Sequence, residues 1–239
     1  MILEHIVEQH AENAAFLWHL RDLATERPHY ELKDLRQLDE RVEAHLDGLR
    51  VAGDAGWEIA KAALSEGEAG EMFVAAVLAV ERNDLEGIAH VLDVSEGEPG
   101  RSRGIVSALG WAPFDAVERI LPGLLDPMCP PELQWLGIAG CAVNRVDPGE
   151  ALVRALQSED LRLRCRAVDA VGELGRVDLR YVVERELGAE DDELRFRAGM
   201  AAALLGSTRA AEVLRGFADA GGRRAERAFS MAVRRAGTQ

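Results

Sequence analysis

Apolar residues recur every three or four positions along most of the chain, and this spacing is typical of one face of an α-helix. The pattern runs through residues 2–25, stops before Pro28 and resumes over residues 32–49. The apolar stripe of the second segment consists of Leu32, Leu35, Leu38, Val42, Leu46 and Leu49. No segment alternates apolar and polar residues over a length that predicts a strand, so we expect an all-α fold.

The second half of the chain contains an internal repeat with an offset of 31 residues. LRCRAVDAVGELG at 163–175 aligns with LRFRAGMAAALLG at 194–206, and seven residues match in register. Each copy precedes a second amphipathic segment, at 178–187 and at 208–217, and a weaker copy begins at Leu133. A helix pair of this length cannot bury its apolar stripe alone, whereas stacked pairs cover one another. The repeat therefore predicts an α-solenoid.

Polar residues and glycines flank the repeated segments where helices are expected to begin and end. Gly175 and Gly206 close the two copies and suit the left-handed position that follows a helix. The acidic stretches QSED, at 157–160, and GAEDDE, at 188–193, precede the same two segments. Acidic side chains there accept hydrogen bonds from the first free N–H groups of a helix, so we expect N-caps at these points.

The segment SEDLRLRCRAVDAVGELG and the LRYVVEREL that follows resemble HEAT-like repeats of the phycobilisome-lyase type. AAFLWHLRD and LDERVEAHLDGLRVAGDAGWE resemble the front of a little-characterised proteobacterial HEAT-repeat family, some of whose genes lie near type VI secretion loci. This resemblance implies a fold but no assigned chemistry. We expect an N-terminal helical cap over residues 1–66 and a HEAT-like array over residues 67–239, packed continuously as one elongated α-solenoid.

The charge of the chain is strongly acidic but uneven. There are 42 acidic and 28 basic side chains, and the net charge of −14 argues against a protein that tracks phosphate backbones. After residue 194, however, nine arginines accompany only three carboxylates. The last 45 residues therefore carry about +6 and the first 194 carry about −20.

The cysteine content and the length of the apolar runs indicate the cellular compartment of the protein. Cys129, Cys141 and Cys165 are odd in number, lack CxxC spacing and lie in apolar helical context, which predicts buried, reduced thiols. No segment has the pattern of a secretory signal, and no run approaches 18 apolar residues. We therefore expect a cytoplasmic protein without membrane contact.

One short motif matches a catalytic pattern. GRSRG at 100–104 fits the G-x-S-x-G nucleophile elbow, which needs a buried strand before it and, in the usual order, a histidine after it. The preceding DVSEGEP does not predict a strand, and all six histidines precede Ser102. We interpret the motif as a loop before a helix and expect no catalytic residue there.

Metal and cofactor motifs are equally weak. His5 and His10 are five residues apart, a poor spacing for two ligands on one helix, although Glu8 and Glu12 would share a face. HEAT-like di-iron oxygenases use His-Glu dipeptides, and the sequence contains none. It also lacks a calcium loop and a phosphate-binding loop. We expect no metal site and no cofactor.

Residues 41–64 contain a histidine, several carboxylates, a tryptophan and three glycines. Helical spacing places His45 beside the inward apolar stripe, where a histidine is usually partly buried rather than catalytic. Four charged residues are expected on the outside: Arg41, Glu43, Asp47 and Arg50. AGDAGW is then a turn between helices with Trp57 filling the corner, so we interpret the cluster as structural.

Three classes of function remain open. The first is a non-catalytic protein-interaction module, and the type VI context of the similar family suggests an adaptor or an immunity protein whose partner is a secreted toxin or a spike component. The second is a HEAT-like lyase or another enzyme with a small-ligand pocket. The third is nucleic-acid binding through the basic C-terminal segment.

We favour the interaction module and expect its partner surface on the second helix of each repeat. The polar or aromatic residues predicted there are Arg154, Tyr181, Glu184 and Arg215. The last segment, RRAERAFSMAVRRAG, has the pattern of a first helix without its second. We therefore expect either that a partner or a second copy covers this helix, as in a homo-oligomer, or that the chain is cut from a longer protein.

Overall fold

The computed structural model describes residues 3–95 and 100–236. The regular elements formed by these residues are helices, and none of the described residues lies in a strand, which confirms the all-α fold. The first seven helices are α1 (Glu4–Ala24), α2 (Leu32–Ala52), α3 (Asp54–Ala62), α4 (Ala69–Glu81), α5 (Leu85–Val94), α6 (Arg101–Trp111) and α7 (Phe114–Leu124). The next seven are α8 (Pro131–Val143), α9 (Glu150–Leu156), α10 (Leu161–Glu173), α11 (Arg180–Arg185), α12 (Asp192–Leu204), α13 (Ala210–Ala220) and α14 (Ala225–Ala236).

The chain divides into two compact units, Met1–Gly123 and Leu124–Gln239. We expected a boundary at residue 66 and a continuous array after it, and the observed division differs from both. Helix α4 packs against α1 and α6, so the segment that follows residue 66 completes the core of the N-terminal unit. The arrangement of the whole chain as a solenoid stays a prediction.

Three aromatic side chains join the helices of the N-terminal unit. The ring centroids of Trp18 on α1 and Phe73 on α4 lie 5.1 Å apart in a stacked arrangement. Trp111 on α6 meets Phe73 edge-on at 5.4 Å, and the Trp18 indole donates a hydrogen bond to the Ser107 hydroxyl at 3.0 Å. Trp18 and Phe73 are fully buried. These aromatic contacts therefore hold both α1 and α6 against α4.

In the C-terminal unit, α8, α10 and α12 pack successively against one another, and α9 and α13 pack against α10 and α12 respectively. The contacts between α10 and α12 are made by small residues. Ala167 and Ala198 are fully buried, and a Cβ added at Gly172 would lie 2.8 Å from the Ala201 Cα. Small side chains permit this close approach.

The repeat predicted from the sequence has the same helix boundaries in both copies. Helices α10 and α12 begin and end 31 residues apart. The Asp160 carboxylate accepts a hydrogen bond from the Leu163 N–H at 2.7 Å, and Asp191 accepts one from the Leu194 N–H at 2.8 Å. These contacts confirm the two predicted acidic N-caps.

A residue in the left-handed conformation follows each of four helices, α4, α8, α10 and α12. Gly175 has φ +67° and Gly206 has φ +84°, which confirms the two predicted glycine termini. Asn83 after α4 and Arg145 after α8 have φ 54° and 59°, so two non-glycine residues occupy the equivalent position. In each case the N–H of the next residue donates a hydrogen bond to the carbonyl five residues earlier, as Val146 does to Cys141 at 2.8 Å.

Candidate partner-binding surfaces

The four predicted partner-binding residues all lie on the second helices of the C-terminal unit. Arg154 is on α9, Tyr181 and Glu184 are on α11, and Arg215 is on α13. Arg154, Tyr181 and Arg215 are exposed, and the Tyr181 side chain is 65% exposed. Among the described residues, the structure records no hydrogen bond or ion pair joining any two of the four. We refer to these residues as the second-helix surface.

Glu184 differs from the other three because it is half-buried and engaged within its own unit. Its carboxylate lies 3.5 Å from an Arg209 nitrogen and 3.8 Å from Arg180. A hydrogen bond from Ser207, together with the charges of Arg180 and Arg209, lowers the pKa of Glu184. Glu184 therefore offers a partner less free charge than Arg215, which occupies the same position one repeat later.

The N-terminal unit contains a groove of about 670 Å³ that sequence reasoning did not identify. Its walls are formed by α1, α3 and α4. Alanine, isoleucine and valine side chains line it: Ala11, Ala55, Ile59, Ala60, Ala62, Ala63 and Val74. Five carboxylates complete the lining: Glu4, Glu8, Glu12, Glu58 and Glu71. We call this feature the acidic groove.

The acidic groove takes its charge mainly from α1. Glu4, Glu8 and Glu12 repeat at four-residue intervals and are exposed on one face of the helix, as expected for Glu8 and Glu12. Glu4 stabilises the positive end of the helix dipole, but Glu8 and Glu12 lie beyond the first turn. Neither of these two forms an ion pair with any residue in the described ranges. The repeated glutamate spacing was the sequence signal for this face.

His45 packs against another histidine rather than against a catalytic partner. Its Nδ1 lies 3.0 Å from the Nδ1 of His10, which joins α2 to α1. Burial lowers the pKa of His45, and the charges of His10 and Arg41 lower it further. The partly buried position predicted for His45 is confirmed, and the pair functions as a contact between helices.

The prediction that four charged residues of α2 lie outside is wrong for Arg50. Its side chain is only 26% exposed because its guanidinium group reaches both carboxylate oxygens of Glu81 on α4, at 2.9 and 2.7 Å. Glu43 and Asp47 also accept hydrogen bonds from Arg50. These bonds raise the pKa of Arg50, most strongly through Glu81. The prediction is also wrong for Leu32, which was expected on the inward apolar stripe but is exposed at the start of α2.

The GRSRG motif lies at the beginning of α6, and its last glycine has a packing role. A Cβ added at Gly104 would lie 2.0 Å from the carbonyl oxygen of Ala69 on α4. Only glycine permits this approach of α6 to α4. Ser102 falls in the first turn of α6. Part of the segment before the motif, residues 96–99, lies outside the described residues.

Many arginines of the basic C-terminal segment are paired within the chain. Arg197 contacts the carboxylates of Asp169 and Glu193, and Arg224 contacts Glu193 at 2.7 Å. Burial raises the pKa of Asp169 in spite of the nearby Arg197 charge. Arg224 also lies 5.8 Å from the centre of the Phe217 ring. These contacts give the arginines a structural role, which weakens the case for nucleic-acid binding.

The remaining chemistry of the chain is limited. Cys141 and Cys165 are buried free thiols, whereas Cys129, which we also expected to be buried, is half-buried. Burial raises the pKa of Cys141 and of Cys165 to about 11, so both thiols are unreactive near neutral pH. Within residues 3–95 and 100–236, no three histidine, cysteine or carboxylate side chains converge on a point where a metal ion would bind.

No described helix combines the length and the apolar character needed to span a membrane. No protein-family model matches the chain, and no curated protein matches it either.

Proposed function

We propose that the chain is a non-catalytic helical-repeat module that binds another protein through the second-helix surface. The exposed Tyr181 ring on α11 is the observation that carries this proposal. Tyrosine and arginine are enriched among the residues that dominate protein interfaces, because they combine apolar area with hydrogen bonding. Arg154 and Arg215 are exposed on neighbouring second helices in the chain and would supply the charged part of the same contact.

The HEAT-like resemblance and the type VI context support a more specific form of the proposal. In this form the protein is cytoplasmic and acts as an adaptor that loads a secreted component, or as an immunity protein that holds a toxin inactive. Neighbouring genes distinguish the two roles. A toxin gene beside this one favours immunity, and a spike-protein gene favours loading.

Affinity purification from the native host tests the proposal. The tagged protein is compared with Tyr181→Ala/Arg215→Glu and with Val51→Ala, a control at an exposed apolar residue of the N-terminal unit. We expect a stoichiometric protein with the wild type and the control, and its loss with the double variant. Equal recovery of that protein by all three, each with an unchanged circular dichroism spectrum, would refute the surface assignment.

A further inference from the structure

The acidic groove is a cavity with an apolar floor. Ala11, Ala60 and Val74 are buried at its base, and Ile59 is half-buried on the α3 wall. Its volume of about 670 Å³ lies within the range of about 300–1,000 Å³ that is typical of small-molecule sites. The floor would therefore remove aliphatic atoms of a ligand from water, which is a favourable contribution to binding.

One wall of the groove carries a row of charges at a regular interval. Glu4, Glu8 and Glu12 line the groove four residues apart on α1, and we call them the glutamate row. The rise of an α-helix places neighbours in the row about 6 Å apart and its ends about 12 Å apart. Like charges four residues apart repel each other and destabilise a helix. None of the three forms an ion pair with a described residue, so no described cation relieves this repulsion.

The carboxylates on the other walls are engaged within the chain. Glu58 on α3 lies 3.5 Å from the Lys61 ammonium group. Glu71 on α4 accepts a hydrogen bond from the Glu68 N–H at 2.8 Å, at the beginning of its own helix. The negative charge that is free to bind a ligand is therefore concentrated on the α1 wall, beside the apolar floor.

The unit that contains the groove carries nearly all of the negative charge of the protein. Residues 1–123 include 24 aspartates and glutamates against 11 lysines and arginines, whereas residues 124–239 include 18 against 17. An excess of this size attracts cations to the unit from a distance. The charge of the groove and of its surroundings thus favours a cationic ligand.

We propose that the acidic groove binds a linear aliphatic polyamine. In such a molecule three or four methylene groups separate successive ammonium groups, a distance of about 5–6 Å at bond lengths of about 1.5 Å. This distance matches the interval of the glutamate row. The ammonium groups pair with Glu4, Glu8 and Glu12, and the methylene groups between them lie on Ala11 and Ile59. The site uses none of the residues of the second-helix surface, so it goes beyond the proposed function.

Calorimetric titration with three cations tests the match of charge and shape. Spermidine has three ammonium groups and an extended length close to that of the glutamate row. Hexamminecobalt(III) has the same charge but no methylene groups, and putrescine has only two ammonium groups. At about 50 mM salt, where screening is weak, we expect a 1:1 spermidine complex with a dissociation constant below about 100 µM. Hexamminecobalt(III) should bind about ten-fold more weakly, because no aliphatic atoms leave water. Putrescine should also bind about ten-fold more weakly, because it reaches fewer glutamates.

A pair of charge variants tests the glutamate row. Glu8→Gln/Glu12→Gln removes two of its carboxylates, and Glu26→Gln/Glu118→Gln removes the same charge elsewhere in the N-terminal unit. All four side chains are exposed, so both variants are expected to fold, and circular dichroism checks this. We expect the first variant to bind spermidine about ten-fold more weakly than the wild type, and the second to bind it within about two-fold of the wild type.

A pair of size variants tests the cavity without changing the charge. Ala62 is an exposed lining residue, so Ala62→Leu narrows the groove without overpacking the core. Ala44→Leu makes the same change at an exposed position of α2 that does not line the groove. Spermidine should bind about five-fold more weakly to Ala62→Leu, because the larger side chain takes the space of its methylene groups, and unchanged to Ala44→Leu.

Four results would overturn the proposal. Spermidine that does not bind the wild type below about 1 mM would exclude the site. Equal affinities for spermidine and hexamminecobalt(III), or equal losses in the two charge variants, would show that the acidic unit attracts cations without a specific groove. An unchanged affinity in Ala62→Leu would place the ligand outside the cavity. None of these results bears on partner capture by the second-helix surface, which is tested separately.

Discussion

The Nδ1 atoms of His10 and His45 lie 3.0 Å apart between α1 and α2. At this distance one nitrogen must donate a proton and the other must accept it, so the contact is lost when both rings are protonated. Gly48 leaves the room that this contact needs, since a Cβ there would lie 2.6 Å from the His10 ring. The joint between α1 and α2 therefore depends on the protonation of His45.

Acidification should destabilise the N-terminal unit through this pair. The folded pKa of His45 lies below the value of 6.5 for an unperturbed histidine, so the unfolded chain binds more protons between the two values. Stability then falls as the pH drops below 6.5, by no more than about 1.4 kcal/mol per pH unit for this one group. Urea unfolding at pH 7.5 and 5.5 should show a smaller loss for His45→Gln than for the wild type. The same loss in both proteins would contradict this assignment.

Replacing Arg50 should be costly because Glu81 would lose its main partner. The Glu81 side chain is only 18% exposed and accepts two hydrogen bonds from Arg50. We expect Arg50→Met to lower the free energy of unfolding by about 2 kcal/mol. Arg36→Met is the control, since the exposed Arg36–Glu40 pair contributes about 0.5 kcal/mol or less. Equal effects of the two changes in urea titrations would argue against the Arg50 network.

The same glycine-to-alanine change should have opposite effects at two positions of the C-terminal unit. Gly175 has φ +67°, a conformation that costs an alanine about 1 kcal/mol or more. Gly216 lies exposed inside α13 with no atom near an added Cβ, so alanine there should stabilise the helix by about 0.5–1 kcal/mol. Thermal unfolding should place Gly175→Ala below the wild type and Gly216→Ala above it. The reverse order would show that the left-handed terminus of α10 is assigned incorrectly.

The two glycines of GRSRG should respond differently to alanine. Gly104→Ala forces a Cβ against the Ala69 carbonyl and should cost about 3 kcal/mol, because α6 must move away from α4. Gly100 has no atom near an added Cβ, so Gly100→Ala should change stability by only about 0.5 kcal/mol. The two variants are compared by urea unfolding. A small effect at Gly104 would mean that the α4–α6 contact is looser than described.

Local features of this fold were predictable from the sequence. Residues close together in the chain determine the helical character of the fold and the 31-residue repeat. They also determine the N-caps at Asp160 and Asp191 and the glycines that end the helices. The left-handed Arg145 was missed because arginine does not mark that conformation as glycine does.

Features that depend on distant contacts were not predictable. The unit boundary at Gly123 follows from the packing of α4 against α6, and Arg50 is drawn inward by Glu81 on another helix. The acidic groove is a space between three helices, which no single segment encodes. Even so, the glutamates at four-residue intervals on α1 did mark one of its walls.

Site-specific photocrosslinking in the native host tests the central claim most directly. A photoreactive phenylalanine analogue replaces Tyr181, and the control replaces Val51, which is exposed on α2. We predict that one protein forms an adduct at position 181 and not at position 51, because an interface residue holds its partner within reach of the reactive group. Adducts that are absent at both positions, or equally abundant at both, would contradict the account of Tyr181 as the centre of a partner-binding surface.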